Sequence, residues 1–330
     1  MKKTLLVLLV LLLAFSLVAC STPAPEAEKA PAKEEAAPAE EAEAPAEEEF
    51  VIGYLCSNFN DTGQVYVKDG AKAKAEELGM VFKEADAQED VIKQQDQVNA
   101  FIVDQVDVLV VVPVSTDAMD PIIKVAADAG IPLVFVNRNP FGAAEPNEGT
   151  YFVGSEEIVA GNKQGEYLVE LLGDDKDAKI FILQGKLDNE AAIKRTEGAK
   201  NTLEAAGFSI EAIEVGEWQR DQGLSITENW MTAYGDDITA ILGNNDEMAL
   251  GAVEAMGDNE NGVIILGVDF TPDAKAAVVE GKMVGSVRQD LAGQGAGGVE
   301  IAYDVLTSGS SDAVKMIPFV LITQDEVGNY

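Results

Sequence analysis

Amides, carboxylates, guanidinium groups and one indole follow the apolar, strand-like stretches of this sequence. The residues concerned are Asp61, Asn137, Arg138, Arg195, Trp218, Asn245, Asp269 and Gln289. Each hydroxyl of a neutral polyol both donates and accepts hydrogen bonds, so planar amides, carboxylates and a forked guanidinium suit such a ligand. A flat indole can cover the apolar face of a sugar ring. The pattern therefore indicates a polyol-binding site.

The same residue types also occupy turns and helix caps for purely local reasons, so any one of these residues can be a structural device instead. Asp117, Asp246 and Asp273 stand at the beginning of helical runs and are interpreted as caps. For Arg138, contact with a ligand and pairing with the acidic surface are both open. Trp230 lies within a helical run and is interpreted as a core residue.

Short β-rich apolar runs alternate with longer segments of helical period from residue 50 onward. A first series ends with LVFV at 133–136, and a second begins with KIFIL at 179–183. This alternation is typical of parallel sheets with crossover helices. We predict an α/β fold of two doubly wound parallel-sheet lobes joined by hinge segments. Ligands of such sheets bind beyond the carboxyl ends of the strands, where the polar residues stand.

Composition excludes several classes of function. The chain has 330 residues with 23 Lys plus Arg, 58 Asp plus Glu, no His and a net charge of −35, which repels polyanions. We therefore expect no nucleic-acid partner, and without His the commonest zinc ligand and general base are absent. Gly293, Gly295 and Gly298 spell GxGxxG near the C-terminus within an Ala-rich helical stretch, where close helix packing explains them. We expect no cofactor.

The N-terminus has the pattern of a secretory signal, with Lys2 and Lys3 before an apolar run. Residues 17–20, LVAC, resemble the bacterial lipobox, which predicts a lipoprotein signal peptide over 1–19 and lipidation of Cys20. Residues 20–49 are almost entirely Ala, Pro and Glu and predict a disordered acidic tether. We expect an extracytoplasmic protein anchored to the membrane, with Cys56 as a buried, inert thiol.

Several motifs occur in the order found in a known family. NNDEMALGAVEAM at 244–256 and LGVDFTPD at 266–273 resemble the ribose and galactose/glucose branch of bacterial periplasmic-type sugar-binding proteins, the receptors of ABC importers. VKDGAKAKAEELG, IPLVFVNRNP and LQGKLDNEAAIKRTEGA match more weakly. The likeness extends from residue 50 to about 325. It implies a type I periplasmic binding protein fold with lobes of 50–155 plus 290–317 and 156–289 plus 318–330.

The resemblance also implies a set of sugar contacts. They are Asp61, Asn137, Arg195, Trp218, Asn245, Asp269 and Gln289, the residues that the strand ends also indicate. Asn189 lies where the galactose/glucose branch places a histidine, and Ala191 where it places an aspartate. Gly63 stands where members stack an aromatic ring, and Phe59 is expected to substitute for it. No galactose-type calcium loop is recognisable, so we expect no metal.

The expected function is a lipid-anchored, monomeric receptor that closes on a monosaccharide and delivers it to an ABC transporter permease. A galactose- or glucose-like hexose is the favoured ligand, and no reaction is catalysed. Two alternatives remain open. The first is a signalling or chemosensory receptor for a small polyol, and the second is a secreted glycosidase that uses Asp61 and Asp269 as its carboxylate pair.

Overall fold

The chain folds into two α/β lobes, each built on a six-stranded sheet, which confirms the predicted fold class. The computed structural model describes residues 49–259 and 261–330. The predicted signal peptide, Cys20 and the tether up to residue 48 lie outside the described residues. Within the described ranges, no helix has the length and apolar character needed to cross a membrane.

The first lobe carries an all-parallel sheet. Its strands are β1 (Val51–Cys56), β2 (Val81–Asp86), β3 (Val108–Val111), β4 (Leu133–Asn137), β5 (Thr150–Gly154) and β11 (Val314–Met316). Their order is β11-β5-β4-β3-β1-β2. The helices are α1 (Thr62–Glu77), α2 (Val91–Val103), α3 (Asp120–Ala129) and α9 (Leu291–Ser308).

The second lobe repeats this architecture with one reversed strand. Its strands are β6 (Lys179–Gln184), β7 (Ile210–Val215), β8 (Ile238–Gly243), β9 (Ile264–Asp269), β10 (Gly285–Arg288) and β12 (Val320–Thr323). Their order is β12-β10-β9-β8-β6-β7, and β12 alone runs antiparallel, along β10. The helices are α4 (Glu157–Leu172), α5 (Glu190–Ala205), α6 (Arg220–Tyr234), α7 (Asp246–Met256) and α8 (Pro272–Val279). Short 3₁₀ turns cover Thr116–Ala118, Gly235–Asp237 and Val327–Asn329.

Helices cover both faces of each sheet, which explains why the central strands are continuous apolar runs. In the first lobe β3 and β4 are entirely buried, with α1 and α9 on one face and α2 and α3 on the other. A Cβ at Gly295 would overlap the Val67 carbonyl of α1, so this glycine permits close approach of α1 and α9. The helix-packing interpretation of the GxGxxG stretch is therefore confirmed.

The chain passes between the two sheets three times. The first crossing follows β5 and leads into α4, the second follows β10 and leads into α9, and the third joins β11 to β12. Because α9 packs on α1 and on β4 and β5, the chain after the second crossing returns to the first lobe. These crossings lie beside the carboxyl ends of several strands, where polar side chains from both lobes come together.

Candidate functional site

A cavity lies between the lobes at the carboxyl ends of the strands. Eight residues predicted from the sequence line it, namely Asp61, Asn137, Arg138, Arg195, Trp218, Asn245, Asp269 and Gln289. The other lining residues are Gly63, Gln64, Ala191 and Leu291. Both lobes therefore contribute a carboxylate, a guanidinium and at least one amide to the same space.

Asp61 both caps a helix and lines the cavity. It is the N-cap of α1, where its Oδ1 accepts a hydrogen bond of 3.1 Å from the backbone N–H of Gln64. Its Oδ2 lies 3.7 Å from Nη2 of Arg138. Arg138 is held by the carbonyl of Pro113, to which its Nη1 donates at 2.8 Å. Burial raises the pKa of the Asp61 carboxyl, and the charge of Arg138 opposes this effect.

Asn137 stands at the end of β4 with a left-handed backbone, φ +69°. Its Oδ1 accepts from Nε2 of Gln64 at 3.0 Å, and its Nδ2 donates to Oε1 of Gln294 at 2.9 Å. The carboxamide therefore keeps one hydrogen and one lone pair for a ligand. Sequence reasoning missed Gln64, although it lies three residues after Asp61 in the first turn of α1. Its Oε1 is buried and has no partner among the described residues.

Arg195 is the centre of the wall formed by the second lobe. Its Nε contacts Oε2 of Glu157 at 2.6 Å, its Nη1 donates to the carbonyl of Asn244 at 2.8 Å, and its Nη2 donates to Oε1 of Gln289 at 3.1 Å. Nη1 also lies 3.8 Å from Oδ1 of Asp269. Burial lowers the pKa of this guanidinium, but the two carboxylates outweigh burial and the pKa is raised. Sequence reasoning missed Glu157, because no strand was predicted between residues 136 and 179, whereas β5 ends three residues before it.

Asp269 has an unusual backbone, with φ +117°, and Phe270 follows with φ +62°. Such conformations persist only where surrounding contacts hold them. Asp246 provides these contacts, since its carboxylate accepts from the backbone N–H of Thr271 and from Oγ of Ser286, both at 2.7 Å. Burial raises the pKa of the Asp269 carboxyl well above its ordinary value, although the charge of Arg195 lowers it in part.

The interpretation of three aspartates as helix caps was wrong. The N-cap of α7 is Asn245, whose side chain accepts from the backbone N–H of Met248 at 3.0 Å, and Asp246 is the first helical residue. Thr271 caps α8 in place of Asp273. Likewise, the residue before the 3₁₀ turn that contains Asp117 is Ser115. Asn245 thus caps a helix and lines the cavity at once.

Replacing Asp246 with asparagine is expected to flatten the pH dependence of stability. Burial raises the pKa of the Asp246 carboxyl to about 7, above its value in the unfolded chain, although hydrogen bonds from Ser286 and Thr271 lower it. The folded state therefore binds more protons, and stability present at low pH is lost as the pH rises toward about 7. Melting temperatures of wild type and Asp246→Asn between about pH 5 and pH 8 test this. Parallel curves would contradict it.

Trp218 follows β7 with φ +68° and lies against the cavity beside Arg195. The Arg195 guanidinium carbon is 5.8 Å from the indole centroid, and the Trp218 carbonyl accepts from Nδ2 of Asn245 at 3.1 Å. A Cβ at Gly185 would overlap the six-membered ring of the indole. Gly185 therefore makes room for Trp218, a role that no pattern in the sequence indicated.

Two predicted residues, Phe59 and Asn189, are not on the cavity wall. Phe59 packs against the core of the first lobe, and Nζ of Lys68 lies 5.0 Å from its ring centroid. Asn189 is fully buried, and its Nδ2 donates to Oδ1 of Asp188 at 2.9 Å. Its Oδ1 is buried and has no hydrogen-bond partner among the described residues. Ala191, two residues later, occupies the wall instead.

The lobes also touch beside the cavity. Nζ of Lys186 lies 2.6 Å from Oε2 of Glu89, so an ion pair joins the second lobe to the first. The hydroxyls of Ser115 and Thr116 donate to the carbonyl of Asp188 at 3.5 and 3.4 Å. These contacts close the cleft on the side of the β3 and β6 strand ends.

Two further expectations concern metals and the thiol. No group of three or more acidic, Cys or His residues in the part of the chain that the structure describes is arranged to hold a metal ion. Cys56 is buried at the end of β1, and burial raises its pKa to about 12. The thiol is therefore protonated at neutral pH and unreactive, as the sequence predicted.

The chain is similar to several known proteins. The model of the family described as periplasmic binding protein domain matches residues 52–310. A putative rhizopine-binding protein of Rhizobium meliloti is 37% identical over 286 residues, which cover 84% of this chain and 92% of the relative. A ribose import binding protein of Escherichia coli (strain K12) is 31% identical over 274 residues, covering 83% and 90%.

One similar solved structure contains a bound ligand. An ABC transporter solute binding protein from Bacillus halodurans C-125 with bound myo-inositol is 36% identical, with a TM-score of 0.78. The match covers 86% of this chain and 97% of that chain.

Proposed function

Since the chain belongs to the periplasmic binding protein family, we propose that it is the sugar-binding receptor of an ABC importer and holds its ligand in the cavity between its lobes. The observation that carries the proposal is the cavity lining, in which both lobes supply a carboxylate, a guanidinium and amides to one shared space. Such groups replace the water that a polyol loses on binding.

Within this class we propose a cyclic polyol, with myo-inositol first. Asp61 with Arg138 and Asp269 with Arg195 form two acceptor–donor pairs on opposite lobes. A ring with a hydroxyl on every carbon can use both pairs around its whole perimeter. The buried Oε1 of Gln64, which has no partner in residues 49–259 and 261–330, is a further acceptor. The relative at 36% identity that holds myo-inositol supports the same ligand.

Galactose and glucose are no longer the favoured ligands. Relatives of 30% identity or more include proteins named for rhizopine, ribose, xylitol and ribose/allose. Ala191 lines the cavity without a hydrogen-bonding side chain at the point where the galactose/glucose branch places an aspartate. The amide of Asn189, where that branch places a histidine, is bonded to Asp188 instead. A hexose of that type would therefore lose the polar contact that the aspartate makes.

The family implies an extracytoplasmic location, and its members are binding proteins rather than enzymes. The glycosidase alternative is therefore excluded. We propose that Cys20 is the lipid anchor. The receptor is monomeric in this proposal, and its partner is a permease. The two lobes divide near residues 155, 289 and 317. Closure about these segments couples occupancy of the cavity to the shape presented to the permease.

A thermal-shift panel tests the ligand class. A ligand present at about 100 times its dissociation constant stabilises the folded state by about 2.7 kcal/mol. We expect myo-inositol to raise the melting temperature more than ribose or allose, and galactose and glucose to raise it least. If no cyclic polyol or sugar of the panel raises the melting temperature, the proposal is wrong.

A pair of aspartate variants links the shift to the cavity. Asp269→Asn replaces one of the two acceptor oxygens of this carboxylate by an NH₂ donor, removes its charge, and is expected to abolish the shift. Asp273→Asn is the matched control, because this side chain is 66% exposed on the next helix. It should respond to myo-inositol as wild type does.

A further inference from the structure

Three glutamine side chains are fully buried, and two of them bond to strand ends rather than to the segments that join the lobes. Gln94 of α2 donates from Nε2 to the carbonyl of Val112 at 2.9 Å and accepts from the backbone N–H of Val114 at 3.0 Å. Gln164 of α4 donates from Nε2 to the carbonyl of Gly243 at 2.9 Å. Both amides tie a helix to the end of a strand, which is a structural role.

Gln294 of α9 has different partners. Its Oε1 accepts from Nδ2 of Asn137, which lines the cavity, and its Nε2 donates to Oγ of Ser155, both at 2.9 Å. Ser155 follows β5 on the first crossing, and its hydroxyl donates to the carbonyl of Ile317 on the third crossing at 2.6 Å. One amide thus connects a cavity residue with two of the three segments that join the lobes.

This series of hydrogen bonds has little freedom to rearrange. Asn137, Ser155 and Gln294 are all buried, so water cannot replace a bond that breaks. The carboxamide of Asn137 is also held from its other end by Gln64. A ligand that fixes the remaining hydrogen and lone pair of Asn137 therefore acts on Gln294 directly, and through it on Ser155.

The second lobe has a corresponding connection. Gln289, on the second crossing, accepts from Nη2 of Arg195 at 3.1 Å, and its Nε2 lies 3.4 Å from Oε1 of Glu157 beside the first crossing. Both walls of the cavity are therefore bonded to the crossing segments by a buried glutamine. Gln289 also lines the cavity, whereas Gln294 does not.

We propose that Gln294 is a positioning residue that couples Asn137 to the first and third crossings, so that occupancy of the cavity favours closure of the lobes. This inference rests on the proposed binding function. The bonds of Gln294 hold the crossings in the arrangement in which Asn137 faces the ligand, and a ligand stabilises that arrangement by its differential affinity. Removing the amide should therefore weaken both binding and closure.

The test compares Gln294→Leu with Gln94→Leu in the full chain. Both variants replace a fully buried amide by an apolar side chain and should lower the melting temperature. With myo-inositol as the probe, we expect Gln294→Leu to lose about tenfold in affinity by calorimetry, which corresponds to about 1.4 kcal/mol. At saturating ligand it should also show less compaction by small-angle X-ray scattering. Gln94→Leu should retain wild-type affinity and compaction, because its bonds go to Val112 and Val114, which neither line the cavity nor lie on a crossing segment.

A second pair of variants covers the case in which Gln294→Leu does not fold. Ser155→Ala removes the hydroxyl between Gln294 and Ile317, and Ser155→Thr keeps a hydroxyl. We expect Ser155→Ala to reproduce the loss and Ser155→Thr to restore most of the affinity. Binding and compaction of Gln294→Leu or Ser155→Ala equal to those of Gln94→Leu would overturn the proposal.

Hydrogen exchange in the ligand-free protein separates this inference from the proposed function. Gln294→Leu should speed exchange around Ser155 and Ile317, and Gln94→Leu should not. Unchanged exchange at both segments overturns the coupling, whatever the ligand is. If the wild-type protein binds no polyol while Gln294→Leu alone still speeds exchange at both segments, the proposed function is wrong and the coupling stands.

Discussion

Replacing Arg195 with methionine is expected to lower the free energy of unfolding by about 3–5 kcal/mol, because it leaves buried carboxylates without their counter-charge. Only 5% of the Arg195 side chain and 2% of that of Glu157 are exposed, and their ion pair is 2.6 Å long. Methionine fills much of the volume but donates no hydrogen bond to Glu157, Asn244 or Gln289. Chemical denaturation of the ligand-free protein measures the loss, and the thermal shift with myo-inositol should disappear as well.

Arg220 provides the matched control for this substitution. It pairs with Glu247 and Asp273 at 2.9 and 2.8 Å, but 31% of its side chain is exposed. Water and salt screen such pairs, so Arg220→Met should cost about 1 kcal/mol or less. Equal losses for the two variants would show that burial does not distinguish the two arginines.

Replacing Trp218 with alanine is expected to weaken ligand binding by about 2 kcal/mol or more, roughly thirtyfold. The indole lines the cavity beside Arg195 and offers a flat apolar surface to a ring. Ligand binding should change the fluorescence of the wild-type protein, and Trp218→Ala should lose that change. Calorimetry gives the affinity, and unchanged affinity would refute the stacking role.

The chain has two tryptophans, which allows a clean control. Trp230 is 2% exposed in the core of the second lobe, and its Nε1 donates to Glu214 at 2.8 Å. In Trp230→Phe the remaining indole is Trp218, so the fluorescence response should persist. Gly185→Ala keeps both indoles but displaces Trp218, because the added Cβ overlaps its ring. Its affinity for the ligand should fall below that of wild type, as the affinity of Trp218→Ala does.

The fold was predictable because hydrophobic periodicity is a local property. Strands buried on both faces, such as β3 and β4, must be continuous apolar runs, and the helices between them must be amphipathic. Parallel strands then bring their carboxyl ends to one edge of each sheet, so Asp61 could be expected near Asn137 in the first lobe, and Asn245 near Asp269 in the second. The exact helix starts were less predictable, since Asn245 rather than Asp246 caps α7.

Local pattern and residue type thus established two α/β lobes, and they predicted a polyol-binding site at the strand ends. Tertiary structure alone determined which of these polar groups face the cavity and which form hydrogen bonds to other protein groups. Asn189 is bonded to its neighbour, while Gln64 and Glu157 became part of the site or its support. Gln294 bonds Asn137 and Ser155 across 157 and 139 positions of sequence. Contacts over such distances leave no local signal, because a side chain's partners depend on how the lobes are folded and joined.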